Sequence, residues 1–535
     1  MENEAKKQMT RRRFLKIMAL AGSTAAINWH SIEALAGSMP DKKKYPVVVI
    51  GAGLGGLISA AYLAQNGFRV TLMEKHDRPG GYATAFERAS GKYNFEVSLH
   101  ATVAENAMPH KILSELGLWE NLEIVDVPEF CRIVHPDFDL QFPARNPQAF
   151  VDLLGEKFPV EKKGIKNFLQ DMITVQSEMR GQIGKDSVMD KLEKLSLSDW
   201  MAMYIRDPQL KGILSVLWGY YGLPPSKMNA LYFAIATGEY VVHGGQYYKT
   251  RSQDLSDTLM EAIEDHGGEI QMQTEATRIG IEKDCVAWVE DEAGHRYPAK
   301  AVVANANTPD ILTKLLKHDS IPLEYKHRME TLSPSLSSCI VWLGLKQELR
   351  GRVNGYEIFV TEDSDPETEY RNILAGNFKN MGVVATLYDN LFKGYSHPGT
   401  STMSIMSLCG YAPWKKFEQD YLAGRKGAYK QAKQAMVDLF IQKVEHRLIP
   451  GLRDMIEVVD AATPLTNLSY TGNPQGAIYG FARPLEQLNA LDVRSPLKGL
   501  YMASAWTHGG GYTPAMMAGR QAAEALLEDW KKDIS

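Results

Sequence analysis

Cysteine is scarce in this chain. Cys131, Cys285, Cys339 and Cys409 are the only four in 535 residues, and no two form the CxxC pair that a zinc site or a thioredoxin-like dithiol uses. They read as buried thiols, and no metal site is expected. Charge of one sign is lacking too. The formal net charge of −5 is spread without large blocks, which gives no electrostatic reason for nucleic acid to be a partner. Long Pro, Ser or Gln tracts are absent, and with 44% hydrophobic and 23% charged residues a disordered chain is excluded. What is present is an ordinary globular composition in a chain longer than one hydrophobic core usually serves. Two domains are therefore expected, with a small or apolar ligand.

The first residues read as an address. Residues 10–16 are TRRRFLK, with the pair Arg11-Arg12 followed by Phe14 and Leu15, and then an apolar, small-residue stretch from Ile17 to about Ile27. This resembles the twin-arginine export signal at every position of its pattern. The apolar stretch is shorter than the roughly 20 residues a membrane-spanning helix needs. Ala34-Leu35-Ala36 offers an AxA cleavage site, so residues 1–36 are expected to be removed and the mature chain to begin near Gly37. The alternative is a basic amphipathic N-terminus acting as an uncleaved anchor. The resemblance implies export as a folded protein through the twin-arginine translocation machinery to the periplasm, which suits a cofactor inserted in the cytoplasm.

Tyr45 to Ile50 (YPVVVI) is a short continuous apolar run of the kind found in a strand buried on both faces. It ends in GAGLGG, with Gly51, Gly53 and Gly56 in GxGxxG positions and Gly55 between the last two. A stretch with apolar residues at helical spacing comes next and stops at Gly67. Gly51 permits the tight turn, Gly53 lets backbone approach a pyrophosphate, and Gly56 lets helix and strand pack closely. The helix N-terminus adds free N–H groups and positive dipole charge. Phe68 to Met73 form the next apolar strand, and Glu74 falls at its end, about twenty residues past the glycines, where a carboxylate accepts from a ribose 2′-OH. The unit is a dinucleotide site with an unphosphorylated ribose.

The residues after Glu74 distinguish FAD from NAD. Glu74-Lys75, then Arg78-Pro79-Gly80-Gly81 and Thr84, spell EKxxxPGG, which resembles the second motif of the superfamily of phytoene desaturase and monoamine oxidase. Further stretches resemble its branch of carotenoid desaturases, carotenoid isomerases and retinol saturase. FEVSLH, ending at His100, stands where that group has F-D-x-G-x-H, with Ser98 in place of the glycine. Gly244-Gly245, Leu255, Gly267-Gly268 and residues 302–306 (VVANA) match the pattern of the return to the FAD domain. Residues 471–481 (TGNPQGAIYGF) match a family segment, and residues 499–511 (GLYMASAWTHGGG) lead into an apolar helix over 515–527. The resemblance implies FAD as cofactor. Beyond the glycines and Glu74, it implies Lys75, Arg78, Gly80, Gly81, Thr84, Ala276, Asn305, Ser504, Gly509, Gly510, Gly511 and Thr513 as groups that hold it. Two positions depart from the superfamily: Tyr82 stands where amine oxidases commonly have Arg, and Ser504 where many flavoproteins place an acid. Amine oxidation is accordingly less expected.

The fold class implied is α/β, a discontinuous Rossmann-type FAD-binding domain (37–105, 240–310, 455–535) with an inserted α+β substrate domain (106–239, 311–454). Within the insertions, residues 214–222 (LSVLWGYYG) read as helical and aromatic, 228–236 as apolar, and 338–345 and 402–408 as strands. An apolar lining over a flavin suits a long hydrocarbon substrate, although any single aromatic there, Trp218 or Tyr220 for instance, reads first as core of the second domain. His508, Tyr512 and His100 are the candidate proton-relaying groups. Three activities are compatible with these features: oxidoreduction of carotenoid-, retinoid- or lipid-like C–C and C=C bonds, amine or amino-acid oxidation, and lipid isomerisation or binding over a structural FAD. An exported enzyme meets little NAD(P)H, so a quinone, a redox protein or oxygen is the expected electron partner. A lipophilic substrate leaves room for peripheral membrane contact.

Overall fold

The structure is a computed structural model that describes residues 42–98, 100–182, 187–249, 251–316, 321–485 and 491–534. The twin-arginine motif and the AxA site lie outside the described residues.

Pro46–Ile50 is the central strand of a five-stranded parallel sheet, in the order Leu500–Met502, Ala301–Ala304, Pro46–Ile50, Arg69–Met73, Glu269–Gln271. The run of β-branched residues suits a strand covered on both faces, because successive side chains enter different cores. Val47 and Val49 pack with the helices, whereas Val48 and Ile50 pack with Ile279, Val286 and Val289 of a three-stranded antiparallel sheet. On the helical side, Leu54–Gln65 is buried from Leu54 to Ala64. It lies against the terminal helix Tyr512–Ile534 so closely that a Cβ on Gly519 would come 2.3 Å from the carbonyl oxygen of Gly55. Each large apolar side chain sealed there contributes roughly 1.5–3 kcal/mol.

The second layer is a seven-stranded sheet in the order Ile456–Ala462, Ser337–Leu345, Ser401–Cys409, Val383–Thr386, Glu357–Val360, Glu129–His135, Phe138–Pro143. It is antiparallel except where Glu357–Val360 meets Glu129–His135. Ser337–Leu345 and Ser401–Cys409 are buried along their whole length. One face, carrying Val341, Leu343, Met403 and Ile405, packs on the helix Gly427–Arg447. The other carries Ile340, Trp342, Met406 and Leu408 and looks toward the first layer.

Three sequence expectations change in detail. Ile456–Ala462 falls within the span 455–535 expected of the FAD domain, yet it pairs with Ser337–Leu345 as the edge of the seven-stranded sheet. Residues 214–222 are not one helix. Pro208–Leu214 ends as Ser215 Oγ bonds back to the carbonyl of Lys211, and a separate short helix, Trp218–Tyr221, is closed by Gly222 at φ 81°. Cys131, Cys339 and Cys409 are buried thiols, but Cys285, at the start of an outer antiparallel strand, is only half-buried.

Candidate active site

The glycine turn after the central strand is held from several sides. Gly51, at φ 91°, donates to the carbonyl of Met73, and Gly80 donates to that of Ala52. Gly53 and Gly80 form a parallel bridge. A Cβ on Gly56 would lie 1.9 Å from the carbonyl oxygen of Gly51, so this glycine sets the close strand-to-helix packing expected of it. A Cβ on Gly55 would lie 1.9 Å from the carbonyl oxygen of Ala503, which makes this glycine the contact with the C-terminal strand. No side chain caps the helix that begins at Leu54, leaving its first N–H groups for an anion. Glu74 is buried, and its two oxygens accept from the N–H of Ala52 at 2.7 Å and of His76 at 2.9 Å. The remaining lone pairs are free for ribose hydroxyls. Gly81 and Gly511 are exposed and Gly51, Gly53 and Asn305 half-buried, so the backbone around the turn is accessible. These residues fit a dinucleotide: an uncapped helix end, an anchored carboxylate and unobstructed glycine backbone.

Asn305 continues the groove, with its N–H on the carbonyl of Ile50 at 2.8 Å and Nδ2 3.4 Å from the carbonyl of Gly51. Ala276 opens the strand Ala276–Glu282 just past Thr274, whose N–H donates to the carbonyl of Glu74. Gly509 (φ 96°), Gly510 and Gly511 (φ 104°) form the turn before the terminal helix, and Thr513 Oγ1 lies 3.4 Å from Thr102 Oγ1.

Other expected cofactor contacts are already engaged. Thr84 Oγ1 bonds to Gln253 Oε1, Arg78 donates to the carbonyl of Ala85, and Lys75 is exposed. Ser504 caps the short helix Ala505–His508 through the N–H of Trp506. Thr84, Arg78 and Ser504 thus each have a protein partner, which motif spacing does not reveal.

The three proton-relay candidates part company. His508 is buried with both ring nitrogens paired, Nδ1 to Thr507 Oγ1 at 3.0 Å and Nε2 to Gln521 Oε1 at 2.8 Å. Burial, reinforced by Arg483, pushes its pKa down to about 4. Tyr512 packs edge-on against Tyr247 and Tyr248 within the core. His100 Nδ1 lies 3.0 Å from Thr386 Oγ1 and 3.3 Å from Tyr388 Oη, while its buried Nε2 has no hydrogen-bond partner among the described residues. Burial holds it neutral, with a pKa of about 4.

Register explains what surrounds His100. Across the face of the seven-stranded sheet that looks toward the glycine turns, Glu357, Thr386, Ser404 and Trp342 stand side by side as successive cross-strand partners. Two residues along each strand, the next row is Phe359, Val384, Met406 and Ile340. A polar row therefore borders an apolar one, about 7 Å away. On the apolar row opens a cavity of about 120 Å³, walled by Phe359, Val384, Met406, Leu408, Trp218 and Tyr479. Tyr220 also lines it and donates from Oη to Glu357 Oε1. Tyr479 links cavity and turn: Oη is 3.4 Å from the carbonyl of Gly219, and a Cβ on Gly510 would come 2.7 Å from its ring. Motif reading missed Glu357, an acid between apolar residues in a strand. It also missed Arg483, two residues past the family-like segment 471–481. Arg483 donates to the carbonyl of Thr507, and its buried Nε has no partner among the described residues.

With this geometry in place, comparison with known proteins is informative. The family described as flavin containing amine oxidoreductase matches residues 54–527. All-trans-retinol 13,14-reductase of Danio rerio is 25% identical over 509 residues, covering 85% of this chain and 81% of that protein. Chloroplastic prolycopene isomerase of Daucus carota is 24% identical over 468 residues, covering 82% and 72%. Among solved structures, an oxidoreductase from Methanosarcina mazei superposes with a TM-score of 0.61 at 16% identity, covering 90% of this chain and all of that one. Cyclohexylamine oxidase of Brevibacterium oxydans gives 0.59 at 15%, covering 92% of this chain and 100% of that one. At such identities the structural likenesses speak for the fold alone.

Proposed function

The chain belongs to the flavin containing amine oxidoreductase family and is an FAD-dependent oxidoreductase, and from that premise we propose that it acts on the C–C or C=C bonds of an apolar, polyene-like substrate. The observation that carries this reading is the cavity itself, walled mainly by apolar and aromatic side chains, among them Tyr479, which packs on the terminal glycine turn. Gly51, Gly53, Glu74, Asn305 and the turn at Gly509–Gly511 would hold the cofactor, which when bound supplies two-electron transfer at the flavin ring. The protein orients the substrate and keeps water from the reacting carbons. The relatives named for retinol reduction and prolycopene isomerisation favour the same substrate class.

The test is anaerobic. Reduced protein is mixed with all-trans-retinol or prolycopene, oxidised protein with putrescine or cyclohexylamine, and the flavin absorbance is tracked. Polyenes are expected to change the flavin or to isomerise, and amines to leave it unchanged. Bleaching by the amines with no response to the polyenes overturns the substrate class.

We also propose that the protein is exported to the periplasm on its Arg11-Arg12 signal and exchanges electrons with a quinone or a redox protein. Arg11→Lys with Arg12→Lys is expected to leave FAD-loaded precursor in the cytoplasm, since both positions precede the strand at which the glycine turn begins. Cell fractionation with an absorbance spectrum checks it, and undiminished periplasmic protein would contradict the assignment.

A further inference from the structure

Resting on the reading that the cavity receives the apolar substrate, we propose that Tyr220, in its wall, and Glu357 behind it form a proton relay serving a substrate carbon. Tyr220 lines the cavity and its hydroxyl touches Glu357, the acidic end of the polar row that borders the apolar wall. The ring of Tyr220 is held edge-on to Phe359 at 6.1 Å and to His100 at 6.2 Å, so its hydroxyl has a fixed position.

Among the described residues, the groups facing Glu357 supply no cation. Glu129 and Cys131 stand on the neighbouring strand, Tyr356 and Tyr388 beside it, Tyr240 on the helix Ala230–His243 and Tyr220 on the short helix. The nearest imidazole, His100, is neutral. Glu129 accepts from the N–H of Tyr356 and adds a negative charge rather than relieving one. Burial, helped by Glu129 and opposed by the Tyr220 hydrogen bond, pushes the Glu357 carboxyl up to about 7. It can therefore hold or release a proton near neutrality, as a general acid must.

In reduction of a C=C bond the π bond breaks. One carbon gains a C–H bond with the hydride that FAD, when bound and reduced, would supply, the two electrons coming from an external quinol-class donor. The other carbon gains a C–H bond with the proton of Tyr220 Oη. The O–H bond broken there is remade with the proton of the Glu357 carboxyl, which is left as carboxylate. The reverse sequence of proton steps serves desaturation.

The experiment uses FAD-loaded protein, chemically reduced, with all-trans-retinol as the probe. Single-turnover loss of the polyene is measured against pH, and binding is measured separately by perturbation of the oxidised flavin spectrum. Wild type should be fastest below pH about 7 and slow above it as Glu357 ionises. Glu357→Gln should lose that limb, and Tyr220→Phe should slow the step on the order of a hundredfold, with retinol affinity unchanged in both. Infrared difference spectra of the protein, with and without FAD, should contain a protonated-carboxyl band that ionises near neutrality and is missing in Glu357→Gln. If retinol fails to bind wild type, the cavity reading fails and the relay with it. If retinol binds but the pH limb or the infrared band survives in Glu357→Gln, the relay alone is overturned.

Discussion

Protein carrying Gly53→Ala is expected to fold and to purify without the yellow colour of the wild type. The backbone at Gly53, φ −71° and ψ 170°, is one any residue adopts, so alanine adds no strain. What an added Cβ meets is Asn305 Nδ2, at 2.6 Å, the far end of a side chain that can swing away. The cost to the fold is therefore small, and the methyl group stands where the backbone must come against the pyrophosphate. A loss of about 2.7 kcal/mol or more, a hundredfold in FAD affinity, is the expected scale. Gly53→Ala with Asn305→Ala separates the two collisions: the asparagine is gone, but the pyrophosphate collision stays. FAD titration of both proteins, with Asn305→Ala as reference, checks it. If the double variant binds FAD as Asn305→Ala does, the methyl group acted through asparagine and the pyrophosphate is not at Gly53. Gly56→Ala should behave differently, because its Cβ would lie 1.9 Å from backbone that cannot swing aside. That variant is expected to lose the fold as well as the colour.

The glycine turn was legible because its chemistry is local. Strand, turn, helix and acid occupy residues 46–74 in order, and Gly56 is required by a contact inside that unit, with the carbonyl oxygen of Gly51, whereas Gly55 answers to Ala503 far along the chain. The strands at 338–345 and 402–408 were legible for a related reason: an alternating or apolar pattern over a segment of strand length is itself local. The site beyond the cofactor was not. Glu357 acquires its meaning from a register that sets it beside Thr386 and Ser404, and from a tyrosine 137 positions away in sequence. His508 reads in sequence as a proton-relay candidate, and its partner Gln521 stands on the terminal helix further along the chain. Ser504 and Thr84 read as ligands of a cofactor, and the sequence does not show that one also caps a helix and the other meets Gln253. Motifs report where backbone must be, whereas the partners of a polar side chain are decided by tertiary packing.

Packing also separates two adjacent residues whose substitution by aspartate looks equivalent in sequence. Leu217 and Trp218 are both buried, at 5% and 7% exposure, but only Trp218 lines the cavity. Leu217 belongs to the apolar core beneath the short helix, where an unpaired carboxylate has neither water nor a partner. Leu217→Asp is therefore expected to cost several kcal/mol of stability, read as a fall in thermal midpoint or in soluble yield. Trp218 faces space, with its ring edge-on to Tyr370 at 6.1 Å. In Trp218→Asp the carboxylate can take water into the cavity, and that water must be expelled when an apolar chain enters. A ligand that loses contact with about 100 Å² of apolar wall loses about 2.5 kcal/mol, or nearly seventyfold in affinity, before the charge is counted. Long straight-chain alkanols should thus be weakened far more than short ones, while FAD remains bound. The carboxylate adds its own dependence: burial by the ligand disfavours the charged form, so acidification should restore part of the affinity in Trp218→Asp and none in wild type. Binding titrations against chain length at two pH values check both points. If Trp218→Asp keeps the wild-type slope of affinity on chain length, the cavity on the apolar row is not where the substrate lies.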